Sequence, residues 1–596
     1  MKQPAPGWVT VVAQDARWSA LVVVICCLLA WGPTVHGGVV DYDTPWLVVD
    51  NPLLRDGDPA VIPTLLWDLS LGTRMTLGAE FLPVRDLSVL LDFALFGDSW
   101  WAHHAHNLWW YTVGCVAFLF VMREILGRGL PALLAATLYA THPVHLECVA
   151  WLASRKDVLG LAFFWTALLV GIRGGRGAWW SAGLALVAIW SKNLTITLPV
   201  VLFFTVLLLF RERWRGRWVV ATVLHGAVLA TTLSLSLRLG EVVQMTVPSR
   251  ASGALELVVL QGRMLLHYAG SLLWPAGLSP TYPEPQLHPL EQLENIVGVA
   301  IYALLLAAVP LLWWRKRPRA ALGVVWGFVM LAPVFQLVPL QNLVADRYLM
   351  LPLGGVVLAL ASALPRHRLT AAAAAGATVV FTLSSAVLAP MWHSSEALWG
   401  TAAQRYPDHV PALLRHAGAV AATDSRAALE LYTAALVQHP DDPRLWTGRG
   451  SAELALGDPA AAERSWRQAL ARKPDHRKAL NNLAALLTRR GAPPEAVALG
   501  QQLTRSYPTY AEGWDTLSAA QIAAGDGSGA AASAERALAL TPYSATSWCN
   551  RGTAAFLLED WPVAARAWQR CAALSPDNPY PRKGLSELER RGLLPR

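Results

Sequence analysis

Charged residues are scarce in this chain. They make up 15% of its 596 residues, against roughly a quarter in an ordinary soluble domain, which excludes a chain that is soluble throughout. Cysteine is scarce as well. The six, at 26, 27, 115, 148, 549 and 571, form no CxxC pair, so the usual cysteine signature of a zinc site is missing. Four lie in or beside apolar runs, where a thiol behaves as a small hydrophobe. Cys549 and Cys571 fall in the more polar part and can pair if that part is extracytoplasmic. No basic face interleaved with aromatics occurs, so nucleic acid is not expected as a partner. The apolar core at 19–31 is followed by no small-x-small cleavage site, which predicts an uncleaved anchor rather than a signal peptide.

What is abundant is apolar. Hydrophobic residues reach 54%, and up to residue 390 they crowd into runs of about 17–22, close to the ~20 needed to cross a bilayer. The pattern predicts spans near 18–36, 104–122, 130–148, 157–172, 178–191, 193–210, 218–239, 294–314, 320–339, 348–364 and 369–390. Basic clusters at 123–129, 173–176, 211–217, 315–319 and 365–368 mark the cytoplasmic side, so the net charge of +8 reads as topology. About eleven crossings place the amino terminus in the cytoplasm and the carboxyl terminus outside. Residues 254–275 are apolar but carry Glu256, Gln261, Arg263 and His267. A crossing there would put two basic clusters on opposite sides, so an amphipathic or re-entrant helix on the outer face is expected.

Beyond residue 400 the period changes. Prolines 440, 474, 508, 542 and 576 stand 34 residues apart, the period of tetratricopeptide repeats. Trp446, Gly450, Gly457, Ala462, Trp466 and Ala469 supply the large and small positions of one repeat, and Trp548, Gly552, Ala564 and Trp568 those of another. Tight helix packing is expected to bar large residues at Gly457 and Ala462. The expectation is an all-α chain: a membrane helix bundle over 1–392, a linker over 393–407, and five repeats with a capping helix over 408–596. Such arrays bind peptides or proteins on a concave surface.

Ionisable residues gather in the outer loops, where charge close to hydrocarbon faces a cavity or a partner. In VVDYDTPWLVVDNPLL (39–54), Asp41 and Asp43 stand among Tyr42 and Trp46. A partly desolvated carboxylate there can act as general base for a hydroxyl, or join Asp50 at a metal, or belong to a solvated acidic loop. THPVHLECVAWLASRKD (141–157) brings His142, His145, Glu147, Arg155, Lys156 and Asp157 together. Arg155 and Lys156 suit a phosphate; alternatively one of them pairs with Asp157 at a helix start. The His and Glu spacing is not that of HExxH, and no metal is assigned. Asp346 and Arg347 open VADRYLMLP, and Lys192 stands in WSKN. A base and phosphate binders at one membrane surface fit a transferase that takes a sugar from a polyprenyl phosphate.

These motifs resemble the transmembrane and tetratricopeptide-repeat-containing family of protein O-mannosyltransferases, within the GT-C glycosyltransferases. YDTPWLVVDNPLL is similar to the family's first outer loop; EFLPVRDLS (80–88), HHAHN (103–107), SKN (191–193), LLWPAGLSPTYP (272–283) and DRYLMLP (346–352) are similar to its later motifs. The resemblance implies a GT-C-like membrane domain with Asp43 as the catalytic carboxylate and Asp41 as its alternative. It implies that Arg155, Lys156, Arg347 and Lys192 meet the donor phosphate, and that His104, Asn107, His142, His145 and Glu147 line the site. The sequence departs from the pattern at Thr44, Leu82, Tyr111 and Asn193, where Asp, Arg, His and Glu are common; the missing second acid argues against a required metal. The expected donor is a lipid-linked sugar, mannose by resemblance, and the expected acceptor is a protein Ser or Thr held by the repeats. The Ala-, Arg- and Trp-rich composition points to a bacterial inner membrane with periplasmic repeats, or to the endoplasmic-reticulum membrane with lumenal repeats in a eukaryote. The rival from another class is a non-catalytic scaffold anchoring the repeats.

Overall fold

A computed structural model describes residues 8–174, 177–214, 218–243, 249–288, 291–365 and 367–593. Parts of the basic clusters at 173–176, 211–217 and 365–368 lie outside the described residues. Among those described there is helix but no strand. Contacts divide the chain into one unit of residues 1–50, 54–66 and 81–401, and another of 51–53, 67–80 and 402–596.

In the first unit each stretch expected to cross a bilayer contains helix. Among the described residues five helices are long and apolar enough to do so: Ala16–His36, Trp100–Leu126, Asn193–Phe210, Leu293–Trp314 and Arg368–Trp392. Shorter apolar helices occupy Leu130–Thr141, Trp179–Ser191, Val223–Leu235, Pro318–Val334 and Pro352–Ala363. Leu304, Leu311 and Trp314 on one long helix, and Val379, Leu383 and Val387 on another, face outward. So much exposed apolar surface suits hydrocarbon. Small residues bring other helices close: a Cβ on Gly323 would lie 2.5 Å from Ala359 N, and one on Gly114 2.7 Å from Leu161. The Ala254–Leu273 helix, expected to lie on the outer face, is not among the candidate spans. It packs against Leu293–Trp314 through Gly262 and Gly298, whose backbones leave no room for a Cβ.

Several spans are shorter than their apolar runs because proline interrupts them. The run read as 130–148 leaves the helix at Thr141, turns at Pro143–His145 and resumes over Leu146–Ala150. The run read as 348–364 becomes helical only at Pro352, after a 3₁₀ turn at Asp346–Leu349. Proline ends a helix because it lacks an N–H and its ring clashes with the preceding turn. Irregular backbone of this kind persists beside a membrane only where protein buries it. His142, His145, Asp346 and Arg347 sit in these breaks, and Glu147 in the short helix that follows the first.

Among its described residues the second unit holds five helix pairs. They run from Val410–Ala421 with Ser425–Gln438 to Ala545–Leu557 with Trp561–Leu574, and Pro579–Arg590 closes the series. Asp424, Asp458, Asp526 and Asp560 cap second helices through their carboxylates, each satisfying a backbone N–H that would otherwise lack a partner. The Gly450 and Gly552 positions admit Trp466 and Trp568: a Cβ there would come within 2.6 Å and 2.5 Å of the indoles. Gly457 differs from the expectation of tight packing. Nothing lies within 4 Å of its Cβ position, and its φ of +83° is the reason for glycine. Cys549 and Cys571 form a disulfide across the last pair. The residues read as a linker, 393–407, contain a helix, Ser395–Arg405. Its Trp399 is buried, and that burial outweighs the weak apolar pattern around it.

Candidate functional site

The first outer loop is held at its backbone. Gly38 donates to the His393 carbonyl at 3.0 Å, the Ser395 hydroxyl accepts from Asp41 N at 2.7 Å, and the Trp399 indole donates to the Asp41 carbonyl at 3.0 Å. Tyr42 then lies against Trp151, ring centroids 4.6 Å apart, and edge-on to Trp399 at 5.4 Å. The Trp151 indole donates to the Thr44 hydroxyl at 2.9 Å, and Thr44 is fully buried. Asp43 is thus pinned from both sides, between a tyrosine packed on Trp151 and a buried threonine. It is half-buried, whereas Asp41 and Asp50 are exposed.

Opposite Tyr42 stands a buried ion pair. Arg347 Nη1 donates to Glu147 Oε1, and the Arg347 backbone N–H donates to Oε2 at 3.0 Å. The same Nη1 reaches the Tyr42 hydroxyl at 3.5 Å, and the guanidinium lies over Trp151 at 5.6 Å. Burial pushes the Tyr42 phenol above its usual value, with the Arg347 charge opposing. Burial works against the Arg347 charge, but the Glu147 carboxylate and Tyr42 outweigh it and hold the guanidinium well above its ordinary value. Asp346, next to it, is pushed up to about 8 by burial and by the Glu147 charge, against hydrogen bonds from Tyr282 and the Ser279 backbone. Lys192 Nζ pairs with Asp157 at 2.9 Å. Lys192, Asp157 and Arg347 line one cavity of about 20 Å³.

Arg155 belongs to a second cluster. Its guanidinium donates to Asp92 at 2.5 Å, to the Ser88 hydroxyl at 2.8 Å, to the His103 carbonyl at 3.0 Å and to Asn107 Oδ1. His106 Nδ1 lies 2.5 Å from Asp92. Burial alone would raise Asp92, but the hydrogen bond to His106 and the Arg155 charge hold it below the usual carboxylate range. This cluster fixes the Pro83–Phe96 helix to the start of Trp100–Leu126 and to Arg155. Asn107 reaches back from it to the Trp151 carbonyl at 3.4 Å, so it supports the floor beneath Tyr42. Lys156 is half-buried.

The histidines are placed by packing. His104 Nε2 lies 3.4 Å from the Gly38 carbonyl, and His142 Nε2 lies 3.1 Å from the Leu272 carbonyl. His145 Nδ1 meets the Tyr111 hydroxyl at 2.7 Å, so the tyrosine at a position where histidine is common serves as a buried partner. Asn193, another departure, is exposed. Among the described residues no three His, Cys, Asp or Glu side chains converge as a metal site. Asp43, Glu147 and Arg347 share the neighbourhood of Tyr42 and Trp151, and Lys192 joins Arg347. Asp92, His106, Trp151 and Tyr282 did not emerge from the sequence, because each lies in a loop or helix whose partners are far away in the chain.

A tetratricopeptide-repeat family model matches residues 417–466, 447–511 and 517–579. The chain carries tetratricopeptide repeats. It is 31% identical over 156 residues to "Protein O-mannosyl-transferase TMTC1" of Mus musculus, covering 25% of this chain and 16% of that one. It is 28% identical over 169 residues to "Protein O-mannosyl-transferase TMTC2" of the same organism, covering 26% and 20%. The matched part therefore spans a fifth or less of these relatives. A solved thermophilic tetratricopeptide-repeat protein of Thermus thermophilus aligns at 20% identity and a TM-score of 0.27, over 30% of this chain and 100% of its own. The curated names are those of the family that the motifs resemble, and the match holds at the level of that family.

Proposed function

We propose that this chain is a membrane O-mannosyltransferase of the GT-C type, which moves a mannosyl group from a polyprenyl phosphate to a Ser or Thr hydroxyl outside the cytoplasm. The observation that carries the reading is the convergence of Asp43, Tyr42, Glu147 and Arg347 around Trp151, in the breaks at the ends of apolar helices. Asp43 takes the proton of the acceptor hydroxyl. The hydroxyl oxygen attacks the anomeric carbon from the face opposite the phosphate, so that a new C–O bond forms as the old one breaks, with inversion. The departing polyprenyl phosphate gains negative charge, which Arg347 is placed to stabilise, and Lys192 lies along the same cavity wall. Arg155 acts differently in this proposal: its donors are engaged by Asp92, Ser88, Asn107 and the His103 carbonyl, so it orders the loop rather than gripping the donor. The repeats supply a surface for the acceptor protein.

Those same internal pairings also favour the scaffold reading, since Arg155 and Lys192 already have carboxylate partners. The deciding experiment offers labelled polyprenyl-phosphate mannose and extracytoplasmic proteins to purified protein in nanodiscs. Wild type is expected to label protein, and Asp43→Asn to reduce the rate at least a hundredfold. Equal labelling by Asp43→Asn moves the base elsewhere, with Asp41 the first alternative. A folded wild type that neither labels protein nor binds the donor supports the scaffold.

A further inference from the structure

A loop outside the groups assigned so far ties both halves of the candidate site together. After the Ala254–Leu273 helix the chain runs through Leu278–Pro283 without regular structure. The Pro280 carbonyl accepts from the Tyr42 hydroxyl at 3.4 Å, next to Asp43. Two residues on, the Tyr282 hydroxyl lies 2.7 Å from both oxygens of Asp346, next to Arg347. Ser279 N in turn donates to the Tyr282 hydroxyl at 2.9 Å. The Tyr282 ring is fixed edge-on to His267 at 4.4 Å.

We propose that Tyr282 and Asp346 are positioning residues for the proposed transfer, forming a latch that sets the Arg347 guanidinium relative to Tyr42 and Asp43. One short loop touches the neighbour of the proposed base and the neighbour of the proposed phosphate ligand. A shift of the loop therefore moves both, and misplacement by about an ångström is enough to cost a hundredfold in rate.

The state of Asp346 matters to this latch. Facing it are the Tyr282 hydroxyl and Ser279 N–H from the loop, Glu147 from the Leu146–Ala150 helix, Tyr268 from Ala254–Leu273, and Arg347 beside it. A neutral Asp346 leaves Arg347 with one carboxylate, Glu147. An ionised Asp346 adds a second negative charge there, in competition with an incoming phosphate. Asp346 is pushed up to about 8, so the ionised form takes over as pH rises through that value.

The inference rests on the transferase reading, and two measurements separate their failures. The first is the pH profile of transfer by purified protein in nanodiscs. Wild type is expected to lose activity above about pH 8, as Asp346 ionises. In Asp346→Asn that alkaline limb is absent. In Tyr282→Phe it moves upward, because a hydrogen bond that favours the carboxylate is gone, and kcat/KM at pH 7 falls about tenfold. A purely structural role would lower activity without moving the limb. The second is an infrared titration, which needs no activity. A protonated-carboxyl band present at pH 7 in wild type and lost by pH 9.5 should be missing in Asp346→Asn. Should wild type transfer nothing while the band behaves as described, the function fails and the latch's proton stands. An unchanged limb in Asp346→Asn, or an unchanged band, overturns the proposal. If Asp346→Asn does not fold, the Tyr282→Phe limb and band decide alone.

Discussion

Replacing Glu147 with glutamine tests whether the pair with Arg347 is as tightly coupled as its burial implies. The two side chains are 4% and 9% exposed. Glutamine keeps the shape and one acceptor but removes the charge, leaving a guanidinium buried without a counter-ion. Breaking such a pair from one side costs about 3–5 kcal/mol. Removing Arg347 alone, as Arg347→Met, strands the carboxylate at a similar cost. The double variant strands neither, so it should cost far less than the two singles together, with a coupling of about 3 kcal/mol. The expected cost of Glu147→Gln also depends on pH. The Glu147 charge helps to raise Asp346, so in its absence Asp346 ionises at lower pH and can serve as counter-ion. Glu147→Gln should therefore be less destabilising at pH 9 than at pH 6. Unfolding by SDS in mixed micelles, for wild type, both singles and the double, gives all four corners. Single costs below about 1 kcal/mol, or a double equal to the sum of the singles, would refute the electrostatic account of the site.

Two predictions concern the repeats. Asp515 is pushed up to about 6 by burial, with the Ser547 hydroxyl bond opposing. A carboxyl with a raised folded value favours the fold below its unfolded pKa and loses that contribution as pH climbs through about 6. Asp515→Asn should thus be more stable than wild type at pH 7.5 by about 2–3 kcal/mol, with the gap closing near pH 3.5; thermal melts at the two pH values check this, and a gap that does not close rules it out. The Cys549–Cys571 disulfide closes a loop with a sequence separation of 22, for which chain entropy gives about 3 kcal/mol. Cys549→Ser should lower the melting temperature of the last helix pair and become insensitive to dithiothreitol, while wild type with dithiothreitol melts as the variant does; identical wild-type melts with and without reductant would contradict it.

The fold was readable where a period persists. The 34-residue recurrence of proline marked the repeats, and the long apolar runs marked the membrane helices. What periodicity could not give was the point at which each apolar run stops being helix. Pro143 and Pro352 lie within runs whose hydropathy continues across them. Within the residues read as a linker, the Ser395–Arg405 helix has little apolar periodicity and goes with the burial of Trp399. In the site, the residue types were legible and their partners were not. Arg155 and Lys192 read as phosphate ligands because a cation on the outer side needs a reason. In the structure the reason at hand is Asp92 for one and Asp157 for the other. Asp92 sits 63 residues from Arg155 in the chain, and no local pattern joins them.

That distinction bears on how a donor could engage. The cavity shared by Lys192, Asp157 and Arg347, about 20 Å³, has space for about one water and none for a phosphate. In the proposed transfer an incoming polyprenyl phosphate therefore opens the site, and its charge selects which contact yields. Lys192 is held to Asp157 through its ammonium group, with a side chain 10% exposed. Arg347 is clasped by Glu147 through both side chain and backbone. The backbone bond to Glu147 Oε2 survives a rotation of the guanidinium, so Arg347 can turn a face toward phosphate without leaving its place, whereas Lys192 must exchange Asp157 for it. A donor that recruits both cations leaves Asp157 buried with its charge uncompensated, which costs about 3–5 kcal/mol and favours engagement through Arg347 alone.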